Sequence, residues 1–131
     1  MIINHILLDE LLKEAAASPR LRMNRDLRNS ADDQSHRMLN ALLPGTQVPI
    51  HRHRNTSETV ILLKGKIDEI YYNDEVVETE RFHLGIDGTY GINIPIGQWH
   101  SIAVFEPSVI LEVKDGKYIP AGPEDIVSKP I

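Results

Sequence analysis

Between Gly45 and Gly65 the chain reads GTQVPIHRHRNTSETVILLKG, with His51 and His53 two apart, Glu58 after four intervening residues and Gly65 after six more. In an extended strand residues i and i+2 share a face, so both imidazoles aim at whatever that face covers. Two imidazoles and a carboxylate converging on one point are three legs of a metal site. The fourth has to come from further along, and the run Pro95-Ile96-Gly97-Gln98-Trp99-His100 supplies it in His100. A histidine pair alone arises often by chance. Here a carboxylate follows at short range and glycines bracket the set where tight turns are needed, which is far more specific. Left unpartnered in a core, these side chains would be costly to bury, and a bound cation removes most of that cost.

From His36 onward short apolar runs are broken by turn residues, the texture of an antiparallel β domain. The spacing predicts eight strands, at 36–43, 46–53, 59–64, 67–73, 76–82, 89–94, 101–105 and 109–114. The breaks include Pro44-Gly45, Lys64-Gly65, Asn73-Asp74, Asp87-Gly88 and Pro107-Ser108. Short strands with such regular turns point to an all-β sandwich or barrel, with a jelly roll among the leading forms.

Ahead of the strands, residues 6–17 place Leu7, Leu8, Leu11, Leu12 and Ala15 at helical spacing, opposite Asp9, Glu10, Lys13 and Glu14. Ser18-Pro19 ends the pattern, because the residue before a proline avoids the helical region. This predicts one N-terminal α-helix, its apolar stripe seated either on the barrel or on a second subunit. Residues 20–33 carry Arg20, Arg22, Arg25 and Arg28 among Asn24, Asp26, Asn29 and Asp32. They read as a solvated linker, or as an arginine-bearing flap that meets an anionic ligand, with Arg22 and Asn24 as its substrate-binding candidates. Pro120, Pro123 and Pro130 with Gly116 and Gly122 keep the tail from joining a central strand, so residues 115–131 are expected to form an extended strap over the barrel. Residues 1–33, 34–114 and 115–131 are thus helix and linker, barrel, and strap of one structural domain, since 131 residues suffice for a single core.

Charge and composition narrow the partners. A formal net charge of −5 argues against a nucleic-acid partner, which needs clustered Lys and Arg. No apolar run approaches the roughly 18 residues of a spanning helix, and Met1-Ile2-Ile3-Asn4-His5 lacks the flank and centre of a signal peptide. The expectation is a cytoplasmic chain with no membrane partner. With no cysteine there is no thiolate, so a metal must be held by nitrogen and oxygen.

The spacing of Gly45, His51, His53, Glu58 and Gly65 resembles the first cupin motif without departure, and Pro95, Gly97 and His100 resemble the core of the second. In the second motif Gly88 lies one residue too far upstream to open it as usual, and Val104 replaces the closing asparagine. The resemblance implies a cupin-type double-stranded β-helix (a jelly-roll barrel) with one divalent metal ion on His51, His53, Glu58 and His100. It also implies pairing into a homodimer, for which the N-terminal helix would serve. The segments SPRLRMNRDL, HRMLNALLPGTQVPIHRH and IPIGQWHSIAVFEPSVILEVKDGKYIP are similar to the WbuC-type cupin-fold metalloproteins, a family associated with bacterial surface-polysaccharide gene clusters.

Three nitrogens and one oxygen suit Zn, Fe, Ni, Mn or Co, and an octahedral ion so held keeps two positions for water, substrate or dioxygen. Three functions follow. One is an enzyme acting on a small molecule, a sugar or sugar-nucleotide derivative, by Lewis-acid isomerisation or epimerisation. The second is a metal-dependent oxygenase, and the third a barrel that binds a small ligand without turnover. With Glu58 committed to the metal, an acid–base step needs another group, for which His36 and Glu112 are the catalytic candidates. Glu112 alternates with Val109, Leu111 and Val113 and so points away from their face. Alternation also places Gln47 and Pro49 with His51 and His53, Val60 and Leu62 with Glu58, and Ile102 and Val104 with His100. Gln47 therefore joins the substrate-binding candidates of a mostly apolar cavity. Arg52 and Arg54 fall on the opposite face and are expected to be exposed, and Tyr71, Tyr72, Tyr90 and Trp99 read as core or subunit-contact residues.

Overall fold

The Asn4 side chain accepts from the Leu7 amide at 3.1 Å and caps a helix, α1, over His5–Ala17. The computed structural model, which describes residues 1–127, continues with β1 (Arg22–Asp26), β2 (Ser35–Leu42), β3 (Glu58–Tyr72), β4 (Glu78–Gly85), β5 (Gly91–Ile94), β6 (Trp99–Asp115) and a short 3-10 turn at Pro123–Asp125. The last residues of the expected strap, with Pro130, lie outside the described residues. The strands form one antiparallel sheet in the order β1-β2-β6-β3-β4, with β5 on the free edge of the first part of β3.

Among the described residues six strands stand where eight were expected: two pairs fuse because their expected turns are bulges, one strand does not form, and β1 is added. The segments predicted at 59–64 and 67–73 fuse into β3, and those at 101–105 and 109–114 fuse into β6. The register between these two strands slips between Leu62 and Ile67, which bends the pair and carries it from one side of the barrel to the other. Gly65 makes this possible. Its φ is +99°, and a Cβ there would fall on the Ser108 hydroxyl and the Pro107 carbonyl. The strand predicted at 46–53 is also absent. Pro49 brings no amide, and only His51 forms β-bridges, to His100 and to Ile126. The charged run 20–33 contains β1, paired to β2, so it is not simply a linker.

Alternation gives the two faces of the sheet opposite tasks. Leu39 and Ala41 of β2 and Val109 of β6 meet Leu7, Leu8, Leu11 and Ala15 of α1, with Met23 and Leu111 alongside. The helix stripe therefore lies on the barrel wall of its own chain. The intervening residues face inward. Register aligns His36, Lys114 and Glu58 in one row across β2, β6 and β3, and Met38, Glu112 and Val60 in the next. Deeper in, Leu42, Val60, Leu62, Ile67, Tyr71, Leu84, Ile94 and Ile110 fill the barrel.

Candidate metal centre

The two histidine segments are joined directly by backbone. His51 N donates to His100 O at 3.0 Å, His100 N returns a bond to His51 O at 2.9 Å, and Gly97 N donates to His53 O at 2.8 Å. Gly97 has φ +79°, the left-handed turn that lets the chain double back onto His53. One ring nitrogen each from His51, His53 and His100 lies within 4.8 Å of the others. Glu58 opens β3 beside them, with its Oε2 3.2 Å from His53 Nε2 and 3.4 Å from His100 Nε2.

Outer contacts fix which nitrogens face the centre. His51 Nδ1 lies 2.8 Å from the Pro49 carbonyl, and His100 Nδ1 lies 2.8 Å from the Gln98 carbonyl. A carbonyl only accepts, so each Nδ1 carries the proton and each Nε2 presents its lone pair. Burial, reinforced by His100 and His53, drives His51 down to about 3, so it stays neutral near pH 7. Burial opposes charge on Glu58, but His100 and His53 beside it outweigh burial and hold its carboxyl well below the usual range. Yet His53 Nε2 and Glu58 Oε2, both buried, have no aligned hydrogen-bond partner despite their proximity. Lone pairs from three nitrogens and a carboxylate meeting around a shared point fit a divalent first-row cation.

Above this centre opens a cavity of about 390 Å³. Its lining surface is mostly apolar, as expected, but it carries more polar side chains than the alternation suggested. His36 and Glu112, separated by most of the barrel sequence, meet there with Nε2 3.0 Å from Oε2. Asn40 and Lys114 also reach Glu112, at 3.3 and 3.4 Å, while His36 Nδ1 is buried with no partner. Arg22 and Asn24 line the cavity together with Arg20, since β1 pairs Arg22 with Leu42 and Asn24 with Asn40 on the inward face. Burial, with Arg20 nearby, lowers the Arg22 guanidinium from its ordinary value. Among the described residues, neither Arg20 nor Arg22 pairs with a carboxylate. Gln47 does not belong. It is exposed and absent from the lining, which Val48 and Pro49 share instead, because alternation fails where no regular strand forms.

Part of the segment after β6 lies over this end of the barrel. Tyr118, Ile119, Pro120, Ala121 and Ile126 close the cavity, with Tyr118 stacked on His36 at 5.5 Å between ring centroids. Asp125 latches it, accepting from Arg52 Nε at 2.8 Å and Arg54 Nε at 2.6 Å. Arg52 is therefore half-buried rather than free, with its guanidinium 4.4 Å from the Trp99 ring centroid. Tyr71 is core, Tyr72 bonds Ser101 at 2.9 Å, and Tyr90 is exposed. Asn40, Glu69 and Lys114 are cavity residues that escaped the sequence reading. Glu69 lies between Ile67 and Tyr71 on the inward face of β3, and that alternation was the available signal.

A barrel of this topology has the cupin-type double-stranded β-helix fold. Within that fold, the chain belongs to the family described as a domain of unknown function, DUF6016, which matches residues 3–84. No curated protein matches it. A conserved protein from Klebsiella pneumoniae with a double-stranded β-helix domain superposes with a TM-score of 0.67 at 17% identity, over 98% of this chain and 97% of its own. The cupin domain of Cnp3 from Schizosaccharomyces pombe gives 0.59 at 15% identity, over 73% and 65%. The capsular polysaccharide assembling protein CapF from Staphylococcus aureus gives 0.63 at 18% identity over 74% of this chain, which spans only 27% of CapF. Among the described residues, no helix is long and apolar enough to cross a membrane.

Proposed function

We propose that the chain binds one divalent metal ion, of Zn, Fe, Ni, Mn or Co type, through His51, His53, Glu58 and His100, and uses the cavity above it to act on a small oxygen-rich anion. A sugar or sugar-nucleotide derivative of surface-polysaccharide metabolism fits best. The observation that carries this reading is the meeting of three imidazoles and a carboxylate, with His53 Nε2 and Glu58 Oε2 buried there without hydrogen-bond partners. The similarity of sequence segments to WbuC-type proteins and of fold to CapF supports the polysaccharide setting.

When bound, the cation would polarise a carbonyl or hydroxyl of the ligand. The remaining work falls to side chains of this chain. Arg22, Arg20 and Asn24 hold the anionic end, because guanidinium groups without carboxylate partners suit carboxylate or phosphate. His36 donates from Nε2 to Glu112, which leaves the Nδ1 lone pair free to take a proton while the carboxylate stabilises the resulting imidazolium. Tyr118 and the strap keep bulk water from that pair. A second reading, carriage of the ligand without turnover, is favoured by the bonds from Asn40 and Lys114 that already engage Glu112.

The experiment is metal analysis followed by ligand turnover. The purified chain is expected to take up one equivalent of metal and His53→Ala none; full uptake by the variant would refute the ligand set. Incubation of the loaded chain with a panel of acidic sugars and nucleotide sugars, followed by NMR, then separates conversion from binding alone.

A further inference from the structure

Glu69 is fully buried, and neither of its carboxylate oxygens has a hydrogen-bond partner. Its neighbour Asp68 shows what β3 does with a structural carboxylate on the other face. Asp68 is bonded by Arg81 at 3.0 Å and by His83 at 2.6 Å. Glu69 instead faces the cavity from a wall that includes Ile102. Register places it directly across from Ile102, while Tyr71, two residues on, is across from His100. Cross-strand partners share a face, and diagonal neighbours lie roughly 7–8 Å apart. Glu69 is therefore the diagonal neighbour of a metal-centre histidine, on the same inward surface. An unpartnered buried carboxyl is costly, and a native fold keeps one for a reason.

We propose that Glu69 is a ligand-binding residue, whose carboxyl hydrogen-bonds a hydroxyl or carbonyl oxygen of a hydroxylated carboxylate of monosaccharide size held between the metal centre and the Arg20–Arg22 edge of the cavity. This deepens the proposed function and rests on it for the placement of the ligand. Burial, with Glu58 and Glu112 adding to it, raises the Glu69 carboxyl well above the usual range. A protonated carboxyl both donates and accepts, as a sugar hydroxyl requires, and a side-chain amide at the same place would do the same. The anionic end is then read by the guanidinium groups and the neutral end by Glu69. A cavity of about 390 Å³ lies toward the small end of ligand sites, which favours a single sugar acid over a nucleotide-linked one.

The test is calorimetric titration of the zinc-loaded full chain with D-glucuronate, D-glucose and acetate. Glucuronate is expected to bind and the other two, each lacking half of the recognised groups, to bind more weakly. Glu69→Leu should weaken glucuronate roughly tenfold, and Glu69→Gln, which can still donate and accept, should recover most of the loss. Zinc stoichiometry should not change in either variant. The metal-free Glu69→Leu chain should melt above wild type, since an unpaired buried carboxyl has been removed. Equal glucuronate affinity in Glu69→Leu overturns the proposal, as does a lowered melting temperature in both variants, which would mark a structural role. Loss of zinc in Glu69→Gln would make Glu69 a metal ligand instead, and failure of glucuronate to bind wild type would remove the ligand class. A wild-type chain that takes up no zinc defeats the metal reading itself, and glucuronate titration of the metal-free variants then decides Glu69 separately.

Discussion

The two faces of β2 and the second half of β6 are built from alternating residues of the same strands, yet they differ in kind. Outward, Leu39, Ala41 and Val109 join Leu11 and Ala15 in a dry layer under the helix. Inward, His36, Glu112 and Lys114 form a polar rim beside the candidate metal centre, and apolar packing resumes only deeper in the barrel. Part of the hydrophobic core has been moved outside the barrel, where α1 completes it. Stability drawn from that layer lets the inner face hold buried polar groups that no core would choose. The comparison predicts that outward changes act on stability and inward changes on binding.

The largest effect is expected inside. His100→Ala should abolish stoichiometric zinc binding, and zinc at about a hundredfold excess over its dissociation constant should stabilise wild type by about 2.7 kcal/mol but leave the variant unmoved, as read by thermal melting with and without chelator. An equal zinc-induced shift in both chains would break the inner half of the comparison. Outside, Leu11→Ala removes a fully buried side chain and should cost about 2–5 kcal/mol in urea unfolding. Its zinc stoichiometry should stay at the wild-type value. A Leu11 variant that folds but no longer takes zinc would show that the faces are not independent.

A smaller effect concerns the strap. The Arg52 guanidinium, with Arg54, holds the Asp125 carboxyl below the ordinary carboxylate value against a smaller opposing contribution from burial. Because the folded value is depressed, the latch contributes fully above the ordinary Asp range and is lost as pH falls through the folded value. The protection factors of the Ile126 and Val127 amides, which remove the pH dependence of intrinsic exchange, should therefore fall on acidification in wild type. In Asp125→Asn they should already be low at neutral pH and change little. Smallest of all, Gln47→Ala should leave zinc and glucuronate binding unchanged, since that side chain is exposed and outside the cavity; a measurable loss would return it to the site.

Much of the site was legible because its chemistry is written in spacing. His51, His53, Glu58 and His100 were identifiable from two short segments, and the structure brings them together even though the strand expected to present the first pair does not form. Period alone identified α1, and the outcome at Glu112 follows from the same alternation that turns Val109 toward the helix. What was hidden depends on contacts distant in sequence. Gly65 and Pro107-Ser108 read locally as turns, and only their approach to each other makes them a shared bulge. β1 was masked by its charges, since Arg22 and Asn24 face the cavity, and on the helix side only Met23 is apolar, Arg25 reaching Glu14 of α1. Glu69 was passed over because a carboxylate within a strand is ordinarily solvent-facing.

The central claim is that four side chains from two distant segments close around one cation inside the barrel. X-ray absorption of the zinc-loaded chain tests it most directly. The account predicts one zinc per chain, with multiple scattering from three imidazoles, one carboxylate oxygen in the nearest shell, and a visibly changed spectrum in Glu58→Gln. A shell without imidazole scattering, or one left unaltered by both Glu58→Gln and His100→Ala, would contradict it.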